Sequence, residues 1–206
     1  MKQCSTITSG KHLAAFGLRR SVHRRYFVSY AGSCVSLVGL AGCLGGERGY
    51  TRPDDEPASV PAAFVCETDG FERHDRGYAD GAVRWGETDD YELRVSGLTF
   101  EYGDTATIRL SPGVTGNRDK WNFEIYTEQG WTEVRGTAKD DAPGYSDEAV
   151  TGGHTWRIEL TETGIVQASR HDDALGVCPD LVTGRYRFVY WGLGDESLAV
   201  AFDLTA

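Results

Sequence analysis

The sequence predicts an all-β fold, an antiparallel β-sandwich of about seven short strands. Three observations indicate it. From residue 91 onward apolar and polar side chains alternate, the period of a strand with one buried face. Turn residues separate the alternating segments, and no sustained 3.6-residue period indicates a helix. We expect strands at about 91–95, 105–110, 121–126, 131–134, 154–160, 186–190 and 198–204.

The alternation assigns one face of each strand to the core. The third strand places Trp121, Phe123 and Ile125 on that face, with Asn122 and Glu124 opposite. The sixth strand alternates in the same way, with aromatic residues at 186, 188 and 190 and arginines between them. A Gln-Gly turn at 129–130 and a Gly-Leu-Gly-Asp turn at 192–195 predict two hairpins. Residues 62–90 are expected to add one or two short strands and no long helix.

Residues 1–42 predict a twin-arginine lipoprotein signal peptide. Arg24, Arg25 and Phe27 precede an uncharged segment, which is typical of twin-arginine export. The sequence Leu-Ala-Gly-Cys at 40–43 resembles a lipobox, in which Cys43 carries the lipid after cleavage. We therefore expect the chain at the extracytoplasmic face of the cell membrane, attached through Cys43. The alternative is an uncleaved span over 26–46, since these uncharged residues are about as many as a membrane-crossing helix needs.

The charge distribution divides the chain at the same point. All 31 acidic residues lie after residue 42, together with 15 of the 21 basic ones, so that part has a formal net charge of −16. Such a charge argues against binding of nucleic acid or anionic lipid by the folded part. The acidic surface and the few lysines resemble proteins of extremely salt-loving archaea. An ordinary acidic secreted protein is the alternative.

Two cysteines remain in the part that would be exported and not lipidated. Cys66 and Cys178 form an even pair outside the cytoplasm, which favours a disulfide. By closing a loop of over a hundred residues, the bond would add about 4 kcal/mol of stability in the chain-entropy model. Two free thiols, or a zinc site completed by His74 and His171, are the alternatives. The compact Cys-x-x-Cys spacing of zinc sites is absent, so we predict no metal.

The chain divides into three parts by composition. After the signal peptide, residues 43–61 are rich in glycine, proline and charge without apolar periodicity, which is typical of a flexible tether. Residues 62–206 contain the alternating segments and are predicted to form one sandwich domain.

Three segments resemble bacterial-type immunoglobulin-like domains of secreted and lipid-anchored proteins: Gly103–Thr107, Trp121–Trp131 and Gly184–Phe188. The likeness covers roughly residues 91–204 and extends to haloarchaeal lipoproteins that carry such a domain. It implies an immunoglobulin-like sandwich in which Tyr186 is the corner tyrosine, whose hydroxyl bonds to a nearby loop. The Cys-Trp-Cys spacing of antibody domains is absent.

Catalytic motifs are absent from the sequence. It contains no His-Glu-x-x-His pair, no Gly-x-Ser-x-Gly elbow, no phosphate-binding glycine loop and no dinucleotide fingerprint. The aspartate doublets at 89–90, 140–141 and 172–173 lack the spacing of a calcium loop. Neighbouring residues of a strand point to opposite faces, so the doublets suit charged loops better than paired acids. We predict a protein that is not an enzyme and has no cofactor.

The connection from 136 to 153 is the best candidate for binding, because loops longer than about 12–15 residues are often functional. It contains Asp140, Asp141 and Tyr145. A solvated, salt-adapted insertion is the alternative. Trp131, Tyr145 and Trp191 are candidates for an aromatic platform that binds sugar or protein, although tryptophan at a sheet edge is often packing.

Three classes of function fit these observations. The first is a lipid-anchored binding, adhesion or structural module of the cell surface with a protein or glycan partner. The second is an accessory or substrate-capturing lipoprotein of a membrane complex. The third is an extracytoplasmic hydrolase that uses the carboxylates of Asp140 and Asp141. The absence of catalytic motifs favours the first class.

Overall fold

The computed structural model describes residues 49–138, 144–145 and 150–206. Strands dominate this part of the chain, and the predicted all-β class is confirmed. A 3-10 turn lies at Asp80–Ala82, and one helix, α1, spans Glu162–Gln167. The strands are β1 (Glu72–Arg73), β2 (Val83–Trp85), β3 (Leu93–Val95), β4 (Thr99–Glu101), β5 (Thr105–Leu110), β6 (Thr115–Gly116), β7 (Trp121–Thr127), β8 (Gly130–Glu133), β9 (Arg135–Thr137), β10 (Val150–Thr151), β11 (Thr155–Glu159), β12 (Gly176–Val177), β13 (Gly184–Tyr190) and β14 (Ser197–Thr205).

The seven predicted strands correspond to β3, β5, β7, β8, β11, β13 and β14. Each of the other strands in the described residues has only two or three residues. The region 62–90 contributes two of these, β1 and β2, as expected. A strand of two or three residues is too short to show an alternating pattern, which is why most of these additional strands were not predicted.

Two sheets face one another as a sandwich. The larger sheet has the order β2-β14-β13-β7-β8, and β4 also pairs with β14. The smaller sheet has the order β11-β5-β3. Two minor sheets, β1-β9-β12 and β10-β6, lie outside this pair.

The core lies between the two sheets and is rich in aromatic rings. Trp156 of β11 lies with its ring centroid 5.0 Å from that of Phe188 on β13. Phe188 also stacks on Trp121 at 5.2 Å. Apolar alternation is what builds this layer, because residues of period two come to one face of each strand. The buried residues from the two sheets are Leu93, Val95, Ala106, Ile108, Leu110, Trp121, Phe123, Ile125, Trp156, Ile158, Tyr186, Phe188, Tyr190, Leu198, Val200, Phe202 and Leu204.

The sheets are antiparallel, as predicted, except along the edge of β14 that faces away from β13. Both β2 and β4 pair with β14 in parallel, at Ser197–Ala199 and Asp203–Thr205 respectively. Between them the Ala201 amide donates to the Thr51 carbonyl at 2.7 Å. An uncovered strand edge leaves backbone donors and acceptors unpaired. Segments from the N-terminal side of the domain therefore cover this edge along most of its length.

The described part of the predicted tether is hydrogen-bonded to the domain. Tyr50 and Val95 exchange two backbone hydrogen bonds, of 2.7 and 2.8 Å. Further along, the Glu128 amide donates to the Pro61 carbonyl at 3.0 Å. The chain is thus attached to the sandwich from Tyr50 onward, ahead of the predicted boundary at residue 62.

The predicted disulfide between Cys66 and Cys178 is confirmed, with Cα atoms 5.2 Å apart and a sequence separation of 112. It joins the segment before β1 to the loop that follows β12. The hydroxyl bonds implied for Tyr186 are also present. Its hydroxyl donates to the Val182 carbonyl at 2.7 Å and accepts from the Val182 amide at 3.1 Å.

Candidate functional site

A pocket of about 290 Å³ opens where β1 and β9 meet the loop after β13. We call it the aromatic pocket and define it by His74, Tyr145 and Trp191. Strands β1 and β9 pair at this point, with Glu72 opposite Thr137. Polar side chains of both strands therefore reach the wall of the pocket. The remaining lining residues are Glu72, Arg73, Asp75, Gly77, Thr137 and Gly144.

Tyr145 is at the centre of the ring contacts in this pocket. Its hydroxyl shares a hydrogen bond with Nε2 of His74. Its ring lies edge-on to Trp191, with centroids 5.0 Å apart, and edge-on to His171 at 5.7 Å. Edge-to-face contacts of this kind hold aromatic rings in a defined orientation. Tyr145 therefore lies in the wall of this pocket, in contact with the rings of His74, His171 and Trp191.

Burial keeps the hydrogen-bonded pair of the pocket neutral near pH 7. The pKa of His74 is lowered mainly by burial and also by the charge of Arg135, which together outweigh the opposing charges of Glu133 and Asp75. Burial raises the pKa of Tyr145 to about 12. The pocket thus offers a neutral imidazole and a neutral hydroxyl to a ligand.

Trp191 is held in place from two sides. Its Nε1 donates to Oδ1 of Asn122 at 2.7 Å, and Nδ2 of Asn122 donates to Glu133 at 2.6 Å. Gly77 lies against the ring so closely that a Cβ atom there would come within 2.5 Å of it. The absence of a side chain at 77 therefore permits the packing of this wall.

Beneath the pocket lies a buried ion pair of Glu133 and Arg135. Nε of Arg135 lies 2.9 Å from Oε1 of Glu133, and both side chains are almost fully buried. Arg135 also donates to the Trp121 carbonyl at 2.7 Å, and its guanidinium lies over the Trp121 ring at 3.8 Å. A buried charge is costly unless it is paired and hydrogen-bonded. These contacts satisfy both charges within the protein.

A second buried pair joins β7 to β13. Arg187 lies 2.5 Å from Glu124, and Tyr78 donates its hydroxyl hydrogen bond to the same carboxylate at 2.7 Å. Asp80 lies 3.1 Å from Arg187. We call residues 78–80, which lie ahead of β2 and include Tyr78 and Asp80, the covering segment. Burial raises the pKa of Glu124, while the charge of Arg187 opposes that shift.

These pairs correct the interpretation of the polar faces of β7 and β13. Alternation indicated one buried face for each strand, but Asn122 and Glu124 are fully buried and Arg187 is 3 % exposed. The reason is that Tyr78 and Asp80 contact this face from the segment that precedes β2. Both faces of the larger sheet are therefore buried in its centre. In the sequence, the signal for this second buried face was the presence of Glu124 and Arg187, which can pair, on the polar faces of two predicted strands.

The predicted aromatic platform is divided between two places. Tyr145 and Trp191 meet in the pocket, but Trp131 belongs to another group. The Trp131 ring is tilted against Tyr126 with centroids 5.1 Å apart, lies 6.2 Å from Trp85 and is covered by the Arg187 guanidinium at 4.5 Å.

The other predicted site residues have different outcomes. Cys66 and Cys178 form the disulfide, which rules out zinc binding by these two sulfurs. Asp140 and Asp141 of the predicted binding loop lie outside the described residues, and so do Arg24, Arg25, Phe27 and Cys43. Within the described ranges, no group of three or more His, Cys, Asp or Glu side chains is placed to hold a metal ion.

Comparison with known proteins identified no relative: no family model, no curated protein and no solved structure matches the chain. In the part of the chain that the structure describes, no helix has both the length and the apolar character needed to cross a bilayer.

Proposed function

We propose that the chain is a lipid-anchored binding module of the cell surface, and that its aromatic pocket takes one sugar unit of a glycan. The observation that carries the proposal is the meeting of Tyr145 and Trp191 with the neutral imidazole of His74 in one pocket of about 290 Å³.

The composition of the pocket supports a sugar as its ligand. Ligand sites are concave and combine aromatic surface with a few polar groups that fix orientation. Here the rings of Tyr145 and Trp191 supply apolar surface, and His74, Glu72 and Asp75 supply polar groups at the wall. A sugar ring has both kinds of surface, apolar C–H groups and hydroxyls. The hydrogen bond from Trp191 to Asn122 restrains the wall before any ligand arrives.

Two features support an extracytoplasmic location. The first is the sequence of the leader, with Arg24 and Arg25 ahead of the lipobox at Cys43. The second is the Cys66–Cys178 disulfide, because such bonds persist in oxidising compartments and are rare in the cytosol.

Binding is tested on a glycan array with the full-length chain and two matched variants. Trp191→Ala removes one ring of the pocket and is expected to weaken binding at least tenfold. Trp131→Ala removes a tryptophan of the same size from the other aromatic group and is expected to leave binding unchanged. Circular dichroism checks that both variants keep the β-sheet spectrum. Equal losses in the two variants, or no glycan bound by the parent chain, would refute the proposal.

The anchor is tested separately by mass spectrometry of the protein from its native membranes. We expect a mature chain that begins at Cys43 and carries acyl groups, and a Cys43→Ser variant that leaves the membrane fraction. A chain that starts upstream of Cys43 would contradict cleavage at the lipobox.

A further inference from the structure

A groove of about 620 Å³ lies at the smaller sheet, between the first residues of β11 and the C-terminal end of α1. Three exposed arginines line it, Arg109, Arg118 and Arg157. We call it the arginine groove. Its other polar lining groups include the hydroxyl of Thr155 and the amide of Gln167.

The sheet fixes the spacing of two of these arginines. Arg109 of β5 is paired in register with Thr155 of β11, and Arg157 lies two residues further along the same strand. Residues in this diagonal relation share a face and lie about 7–8 Å apart. The third arginine is held through its backbone, because Nε1 of Trp156 donates to the Arg118 carbonyl at 3.0 Å. The bases of the three side chains are thus set by rigid structure.

Within the described part of the chain, two of the three guanidinium groups have no carboxylate partner. Among the residues that the structure describes, neither Arg118 nor Arg157 makes a salt bridge or donates a side-chain hydrogen bond. Asp119, next to Arg118 in sequence, instead lies 3.5 Å from Arg170. Carboxylates also pair with Arg76, Arg94 and Arg185 in the same domain.

The positive charge of this groove contrasts with the negative net charge of the rest of the domain. After residue 42 the chain has 31 acidic and 15 basic residues. A groove lined by three exposed arginines therefore forms a local positive region on an acidic protein. Guanidinium groups bind carboxylates and sulfates through two parallel hydrogen bonds.

We propose that the arginine groove binds an acidic polysaccharide, a sugar polymer with carboxylate or sulfate groups. A second pocket, of about 450 Å³, shares Arg109 and Thr155 with the groove. Its lining adds the hydroxyls of Ser96, Thr107 and Ser111. It also includes Arg94 and Glu92, which lie 3.0 Å apart as an ion pair. The combined surface thus offers the arginines of the groove at one end and hydroxyls beside a charge-balanced pair at the other.

Nucleic acid fits this surface less well. Single-stranded nucleic acid is bound through exposed aromatic rings on which bases stack. The aromatic residue that lines the groove is Trp156, and it is only 3 % exposed.

The test measures binding of the full-length chain to polygalacturonate and dextran sulfate, with unsubstituted dextran and single-stranded DNA as comparison polymers. The buffer has the lowest salt concentration at which circular dichroism reports the folded domain, because salt screens exposed charges. We expect binding to the two acidic polysaccharides and none to dextran. Arg118→Gln and Arg157→Gln should each weaken it by roughly tenfold, as expected for the loss of one charge-assisted contact.

Two control variants separate this site from other effects. Arg84→Gln removes the same charge from an exposed position on β2 and should leave binding unchanged. Trp191→Ala, which tests the aromatic pocket, should also leave it unchanged, so that the two sites succeed or fail independently. The proposal is overturned if the parent chain binds neither acidic polysaccharide, if DNA binds as tightly, or if Arg84→Gln weakens binding as much as Arg157→Gln.

Discussion

Arg187 and Glu124 form a buried ion pair across neighbouring strands, with Nε and Oε2 2.5 Å apart. They face each other in the register of β13 and β7. Each also reaches the covering segment, Arg187 through Asp80 and Glu124 through Tyr78. The pair thus links the centre of the larger sheet to the chain that crosses it.

Arg187→Met should lower the free energy of unfolding by about 3–5 kcal/mol, because it leaves the carboxylate of Glu124 buried without its counter-charge. The double variant Glu124→Gln, Arg187→Met should recover part of that loss, since it removes both charges. Chemical denaturation of the parent, the single and the double variant measures the difference. A double variant no more stable than Arg187→Met alone would contradict the assignment of the loss to an unpaired charge.

Tyr186→Phe should destabilise the domain by about 1–3 kcal/mol. The change keeps the ring in the core but removes the hydroxyl that bonds to both the amide and the carbonyl of Val182, so that two hydrogen bonds are lost. Tyr126→Phe is the matched control, because the structure records no hydrogen bond of the Tyr126 hydroxyl with any described residue. The control should stay within about 0.5 kcal/mol of the parent in the same denaturation experiment.

Gly77→Ala should also destabilise the domain, by about 1–3 kcal/mol, because the new Cβ atom would overlap the Trp191 ring. Gly81→Ala provides the control, since a Cβ there meets no atom within 4 Å. Thermal melts of the two variants compare them directly. If both alanines lower the melting temperature equally, close packing of Gly77 on Trp191 is not the cause.

Stability should fall on acidification in a way that depends on His74. Its pKa in the folded protein is below the ordinary 6.5, so the unfolded chain takes up the proton first. The contribution of His74 is therefore complete above pH 6.5 and is lost as the pH falls below it. Glu124, whose pKa is raised above 4.5 by burial, acts in the opposite direction, since its contribution is lost as the pH rises past 4.5.

His74→Gln isolates the histidine contribution. The variant should show a weaker decline in the free energy of unfolding between pH 7.5 and pH 5.5 than the parent chain does. Unfolding in denaturant at several pH values gives both curves. Parallel curves for the two proteins would show that another group dominates the acid response.

The sequence predicted the sandwich because its long strands carry the full alternating signal. Trp121, Phe123 and Ile125 are read correctly as a core face, and all three are at most 1 % exposed. The short strands β6, β10 and β12 were not predictable in this way, since two residues have no period. They form because backbone groups of neighbouring segments find partners there.

The candidate site was predicted only in part. Tyr145 and Trp191 were expected to share an aromatic platform with Trp131, and these two do meet. The contact of Tyr145 with His74 was not predictable, because it depends on how the segment before β2 crosses the sheet. The burial of Glu124 was missed for the same reason. Alternation distinguishes the two faces of a strand, but it does not show whether a further layer covers the second one.

If Cys43 carries the lipid that we propose, the pairing of Tyr50 with Val95 restricts how far from the membrane this domain can work. Six residues separate Cys43 from Tyr50, and even a fully extended chain of that length spans only about 24 Å. With the lipid that we propose on Cys43, the sandwich would rest almost on the headgroups. It would sample the thin layer of solution directly above the bilayer, and lengthening the chain between 44 and 49 would extend that working range without altering the fold.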